Sequence, residues 1–254
     1  MTGLTAPSLI LLGLFGLVGG IGITAIGPGG VLPTIGLFAL TSLSPAQVAG
    51  TAIVTHVATG ALATAAYARS GELREPETRR TALILAGTAV VGTPLGVMVN
   101  SLVSKRMFGL MLGVFVAAVA VLVWYRERHQ PAATRAHPAK VVVACLGLAV
   151  SLCAGIVGIG GPMLTVPLLV ALGVPVLESL ASAQAQSVVI ASAGTVGYVA
   201  ADAIDWPLAA LVGIPELAGV LIGWKIARAL PTRRLKYVLI ATLLAVAPYL
   251  AFHG

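Results

Sequence analysis

Charge is what this sequence has least of. Lys, Arg, Asp and Glu make up 9% of its 254 residues, against about 25% in an ordinary soluble domain. No charged residue precedes Arg69, and between Lys140 and Asp202 the only one is Glu178. Such stretches cannot cover themselves with a water-facing surface, which excludes a soluble domain and assigns both to lipid or protein surroundings. Cysteine is equally sparse. Cys145 and Cys153 lie eight apart in one apolar run, a spacing that fits neither a metal site nor a disulfide framework, and both are expected to be buried packing residues. Aromatic residues are 5% of the chain and do not interleave with its basic residues, so the net charge of +7 does not point to nucleic acid. No GxxxxGK[ST] loop, HExxH pair or His/Asp cluster occurs, and no nucleotide, metal or other cofactor is expected. Met1 to Thr5 contains no basic residue, unlike the start of a signal peptide, so the first helix is expected to be retained.

What is there in abundance is hydrophobic sequence. Runs close to the roughly 20 residues that a membrane-crossing helix needs extend over Pro7 to Ile26, Pro45 to Ala68, Thr81 to Asn100, Met107 to Tyr125, Val141 to Val157, Leu177 to Ala201, Trp206 to Trp224 and Tyr237 to Phe252. Two shorter segments, Val31 to Leu43 and Pro162 to Val174, follow Gly/Pro clusters. The positive-inside rule decides how to treat them. If they only dip in and return, the fifteen basic residues divide almost evenly between the two sides. If both cross, all but Lys105 and Arg106 fall on one side, which favours ten crossings with both termini outside.

The chain also repeats itself. A shift of 131 places Gly27, Gly29 and Gly30 over Gly158, Gly160 and Gly161, and Tyr67 over Tyr198; further along, a shift of 127 places Gly92 and Gly96 over Gly219 and Gly223. Five crossings per half is an odd number, so the second half enters the membrane the other way up. The expected fold is an all-α polytopic membrane protein of two inverted repeats, each with four long helices and one short broken one. Residues 1–125 form the first repeat, 126–140 a cytoplasmic linker and 141–254 the second repeat. The pairs Gly16/Gly20, Gly92/Gly96, Gly109/Gly113 and Gly219/Gly223 fit small-residue helix contacts within the monomer, or a homodimer face.

The two Gly clusters are the sites with chemistry. Gly27-Pro28-Gly29-Gly30 and Gly158-Ile159-Gly160-Gly161-Pro162 are poor helix interiors, and Pro162 suits the first position of a new helix. A helix that starts inside the membrane offers unpaired N–H groups and the positive end of its dipole, and glycine lets an anion approach them. The alternative is that these glycines serve close packing alone; their paired occurrence favours a transporter site. Polar side chains return to membrane depth after each short segment. Thr51, Gln184, Gln186 and Ser187 are candidate substrate contacts, as is His56, which lies over Ser187 in the 131 register. Thr59 and Thr64 are expected to bond their own helix backbone. His56 and Glu216 are candidate proton carriers, with a structural role open for His56. No carboxylate neighbours His56 along the sequence, and no nucleophile, base and orienting group assemble into an enzyme site.

The Gly-rich cluster, the short helix, an Ala49-Gly50-Thr51 turn, Tyr67 and the GxxxG helix, in a pattern that is doubled, resemble the sulfite exporter TauE/SafE family of membrane permeases. The second half departs from that pattern, with Ala181-Ser182-Ala183-Gln184 where a Gly-Thr-Ser turn is usual. The resemblance implies transport, in the export direction, of sulfite, a sulfonate or another small organic anion across a bacterial inner membrane. The expected partners are the anion and membrane lipid. The expected mechanism is alternating access around a midplane site; an anion channel is the alternative.

Overall fold

A computed structural model of the chain describes residues 4–129 and 138–229. The expected span Tyr237 to Phe252 and most of the linker lie outside the described residues. Within them there are nine α-helices and no strand: α1 (Ala6–Ala25), α2 (Leu32–Leu40), α3 (Pro45–Ser70), α4 (Pro76–Asn100), α5 (Lys105–His129), α6 (Lys140–Val157), α7 (Pro162–Ala171), α8 (Val176–Ala200) and α9 (Trp206–Ala229). Helices α1, α3, α4, α6 and α9 are each long and apolar enough to cross a membrane. The chain is an all-α, multi-pass membrane protein.

Local chemistry sets the ends of these helices. Proline opens α1, α3, α4 and α7, where its missing N–H has no intrahelical partner to lose. Ser44 and Gln47 form a reciprocal capping box at the start of α3. Gly71, at φ 101°, ends α3 in the left-handed region, and Gly158, at φ 75°, does the same for α6.

Close backbone contacts fix the direction of each helix. Gly16 and Gly20 of α1 face the carbonyls of Val212 and Glu216 on α9, and Gly219 and Gly223 of α9 face those of Leu17 and Ile21, so α1 and α9 run parallel. Gly92 and Gly96 of α4 meet Leu148 and Leu152 of α6 in the same way. Val97 of α4 packs at Gly197 of α8, and Thr78 at the start of α4 bonds Glu178 at the start of α8, so these two are also parallel. On α3, Thr51 bonds the N–H of Asp205 just before α9, and Thr55 bonds Glu216 further along it. Between α3 and α8 the order is reversed: Gly50 lies against Tyr198, Gly60 against Val188, and Ser70 shares a cavity of about 550 Å³ with Glu178. Helices α1, α3 and α9 therefore run one way and α4, α6 and α8 the other. Since α1 and α3 are parallel, the break and α2 carry the chain back between them. The second break and α7 do the same between α6 and α8.

Three expectations need correction. The Ala49-Gly50-Thr51 segment is no turn but lies inside α3. Its glycine is required because a Cβ there would overlap the carbonyl oxygen of Ala203. Cys145 is exposed on the outer face of α6 and Cys153 is half-buried; an outer face that meets lipid is as apolar as the core. Thr59 bonds the carbonyl of Thr55 as expected, but the Thr64 hydroxyl has no partner.

Candidate functional site

Each broken helix leaves carbonyl groups without an intrahelical partner, and in a membrane every one needs a donor. At the end of α1 the Gly22 carbonyl accepts the N–H groups of Ile26 and Gly27. The Ile23 carbonyl accepts Gln184 Nε2 at 2.9 Å, and that of Thr24 accepts the Tyr67 hydroxyl at 2.7 Å. At the end of α6 the Ala154 carbonyl accepts the N–H groups of Gly158 and Ile159. The Gly155 carbonyl accepts the Tyr198 hydroxyl at 2.7 Å, and that of Ile156 accepts Asn100 Nδ2 at 2.6 Å. The Tyr67–Thr24 and Tyr198–Gly155 bonds correspond residue for residue at the 131 shift. The doubled tyrosine thus has a physical role: it caps a helix that stops inside the protein.

The two breaks meet. A Cβ on Gly27, which sits at φ 99°, would lie 2.9 Å from the Pro162 carbonyl oxygen and from Val166 of α7. Thr34 of α2 donates to the Gly158 carbonyl at 3.1 Å. Ile23 Cδ1 touches both Gly30 and Gly160. Residues 27–31 and 158–163 are all buried. Gly30 lies opposite His56, about midway along α3, and Gly160 lies opposite Ser187, about midway along α8. The junction is therefore at mid-depth.

The glycines divide by what surrounds them. A Cβ on Gly29 or Gly158 would overlap backbone, that of α1 in the first case and of Ala49 in the second, so close packing accounts for both. A Cβ on Gly30, Gly160 or Gly161 would first meet side-chain atoms, Ile23 and His56, Ser187 Oγ at 2.8 Å, and Gln186 Oε1 at 3.0 Å, with the Ala183 carbonyl oxygen 3.3 Å from the one on Gly161. Among the described residues, the N–H groups of Gly160 and Gly161 have no backbone acceptor. They precede Pro162, the first residue of α7. Ser187 Oγ, fully buried beside Gly160, has no partner either. Two N–H groups without a backbone acceptor and an unpartnered hydroxyl thus lie close together at the positive end of α7.

The other candidates are placed differently. Gln186 accepts the Thr165 hydroxyl at 2.6 Å and borders Gly161. Gln184 is tied to α1 by its amide nitrogen, and its Oε1 is free of protein partners. Thr51 accepts the N–H of Asp205 at 2.9 Å, which anchors the loop before α9. His56 turns inward: Nε2 lies 3.1 Å from the Gly30 carbonyl oxygen, and Nδ1 lies 3.0 Å from Glu216 Oε1. Sequence reasoning found no carboxylate for His56; the structure supplies one from α9, 160 residues away. Thr34 and Thr165 were missed, although they coincide at the 131 shift and self-comparison would have found them.

A profile of the sulfite exporter TauE/SafE family matches residues 12–250, nearly the whole chain and both halves of the site. The chain belongs to the sulfite exporter TauE/SafE family. No curated protein and no solved structure matches it. Membership assigns the chain to a family of membrane transporters for sulfite and related sulfur compounds.

Proposed function

We propose that the protein is a secondary carrier of a small sulfur-containing or organic anion, sulfite or a sulfonate, working by alternating access around the junction of its two breaks. The observation that carries this reading is the buried group formed by the Gly160 and Gly161 N–H groups and the unpartnered Ser187 hydroxyl, facing the Gly30 break. A sulfite or sulfonate head has three oxygens that accept such donors, and neutral donors hold an anion without the cost of burying a fixed cation. Gly30, Gly160, Gly161 and Ser187 are the proposed cargo contacts, with His56, Gln184 and Gln186 bordering them; the Gln186 amide is engaged by Thr165 and the Gly147 carbonyl.

The opposed directions of α1 and α6, and of α3 and α8, support two inverted repeats with ten crossings, in which α2 and α7 complete a crossing each. The cavity shared by residues 70–75 and 175–178 supports the same topology, because ten crossings put these two loops on one face and eight put them on opposite faces. Burial of the whole junction suits an occluded state. The setting of the proposal is a bacterial inner membrane, with export as the direction, driven for a divalent anion such as sulfite by a membrane potential that is negative inside.

The test is [35S]sulfite counterflow in proteoliposomes at equal pH on both sides. External label is expected to accumulate transiently against internal unlabelled sulfite, with saturable kinetics. A channel would give dissipative flux without counterflow, and vesicles that exchange label no faster than protein-free ones would contradict the assignment.

A further inference from the structure

Among the described residues Glu216 is the one fully buried carboxylate, about midway along α9. Its surroundings define where protons lie. The Gly30 carbonyl oxygen can only accept, so His56 Nε2, at 3.1 Å, carries a hydrogen and donates it. Nδ1 then lies 3.0 Å from Glu216 Oε1, and among the described residues neither atom has a hydrogen-bond partner. A bare imidazole lone pair against a carboxylate lone pair at that distance, away from water, is repulsive, so a proton lies on one atom or the other. Whether it forms an N–H beside a carboxylate or an O–H beside a neutral imidazole, the pair has no net charge. Removing it leaves one negative charge in a dry site.

Thr55 is built for both forms. Its single hydroxyl hydrogen has two acceptors in reach, Glu216 Oε2 at 2.6 Å and the Ala52 carbonyl oxygen at 2.9 Å. It donates to Oε2, which is bare in either form because the proton lies between Oε1 and Nδ1. Among the described residues, no other charged side chain is fully buried at this depth. Helices α1, α2 and α7 contain no ionisable side chain, α6 carries Lys140 at its start and the thiols Cys145 and Cys153, and the others packed around the pair carry theirs toward their ends: Tyr67 and Arg69 on α3, Glu178 and Tyr198 on α8, Lys225 and Arg228 on α9.

The geometry points to Thr55, His56 and Glu216 as the proton site of the carrier, loaded and emptied together with the anion at one proton per anion. This rests on the transport reading above and names its coupling ion. The link between sites is short. The His56 ring spans from Glu216 to Gly30, with Cε1 3.6 Å from where a Cβ on Gly30 would stand. An anion in the junction adds negative charge beside a pair whose deprotonated form is itself negative, so the bound anion holds the proton in place, and by reciprocity the proton favours the anion. When the empty carrier opens to water of low proton activity, Glu216 releases its proton to that water and the pair is reset.

The test uses the full-length protein in proteoliposomes, [35S]sulfite as probe, valinomycin with equal potassium to hold the membrane potential at zero, and protein-free vesicles as blank. A gradient of about one pH unit, alkaline inside, is expected to drive roughly tenfold accumulation by the wild type. Glu216→Gln, which keeps the shape but cannot cycle a proton, is expected to lose that accumulation and retain counterflow at equal pH. Wild type without pH-driven accumulation, or Glu216→Gln that accumulates like wild type, overturns the proposal. Loss of counterflow along with accumulation in a Glu216→Gln protein that still melts cooperatively also overturns it, because the residue then serves the anion site or the transport cycle itself. If Glu216→Gln does not fold, Thr55→Val takes its place. At least a threefold loss of accumulation with counterflow intact is then expected, and unchanged accumulation overturns the proposal. Absence of counterflow in the wild type contradicts instead the transport reading on which this one rests.

Discussion

Gly160→Val is expected to fold and to lose about 100-fold in [35S]sulfite counterflow, the effect of removing one or two charge-assisted hydrogen bonds worth roughly 1.5–3 kcal/mol each. Folding should survive because a Cβ at this position comes too close only to the rotatable Ser187 Oγ, at 2.8 Å, and meets Ile23 Cδ1 and Pro162 Cδ at an ordinary contact distance of 3.5 Å. The added methyls instead occupy the space in front of the Gly160 and Gly161 N–H groups. Two residues earlier the expectation is opposite. Gly158 sits at φ 75° and a Cβ there would overlap the Ala49 backbone, so Gly158→Val should not yield a folded protein. Cooperative melting in detergent separates the two cases. A folded Gly160→Val permease with wild-type counterflow would remove Gly160 from the cargo site.

Gly20→Ala is expected to cost about 4 kcal/mol, seen as a fall of roughly 10 °C in Tm, the scale of the most disruptive core substitutions. The sign is diagnostic. On an open helix surface the same change gains up to about 1 kcal/mol from helix propensity. At Gly20 the new Cβ would fall onto the Glu216 carbonyl oxygen and lift α1 off α9. Gly96→Ala, which drives a Cβ into the Leu152 carbonyl oxygen of α6, should behave alike, because the α4–α6 seam repeats the α1–α9 seam. Gly87 has nothing within 4 Å of an added Cβ, and Gly87→Ala should leave Tm unchanged or raise it. Equal effects at Gly20 and Gly87 would contradict the backbone-on-backbone packing on which the helix directions depend.

The helix breaks were legible in the sequence because Gly and Pro act on their own backbone, and Pro162 does open α7 as its position suggests. The pairing of halves was legible because Tyr67 and Tyr198 each cap a broken helix and Gly27 and Gly158 each take a positive φ, the same local need in each half. The face of each helix was not. In a membrane the lipid-facing side is as apolar as the core, so nothing marked Cys145 as exposed, and Val141 or Leu83, each more than half exposed, looks like any core residue. Nor did the sequence distinguish glycines that admit a neighbouring backbone, such as Gly29 and Gly158, from those that border the junction, such as Gly160. That difference depends on which helix stands opposite. The same holds for His56 and Glu216, which come from different halves of the chain and form a unit only after α9 is seated against α1 and α3.

The central claim is that an anion sits at mid-depth between the two breaks. Selenite has the shape and charge of sulfite and scatters anomalously at the selenium edge, so crystals of the protein grown with selenite report its position directly. The expected result is a selenium peak within hydrogen-bonding reach of the Gly160 and Gly161 N–H groups and Ser187 Oγ, abolished by Gly160→Val. A peak held elsewhere, in a protein that exchanges sulfite and is inhibited by selenite, would contradict it.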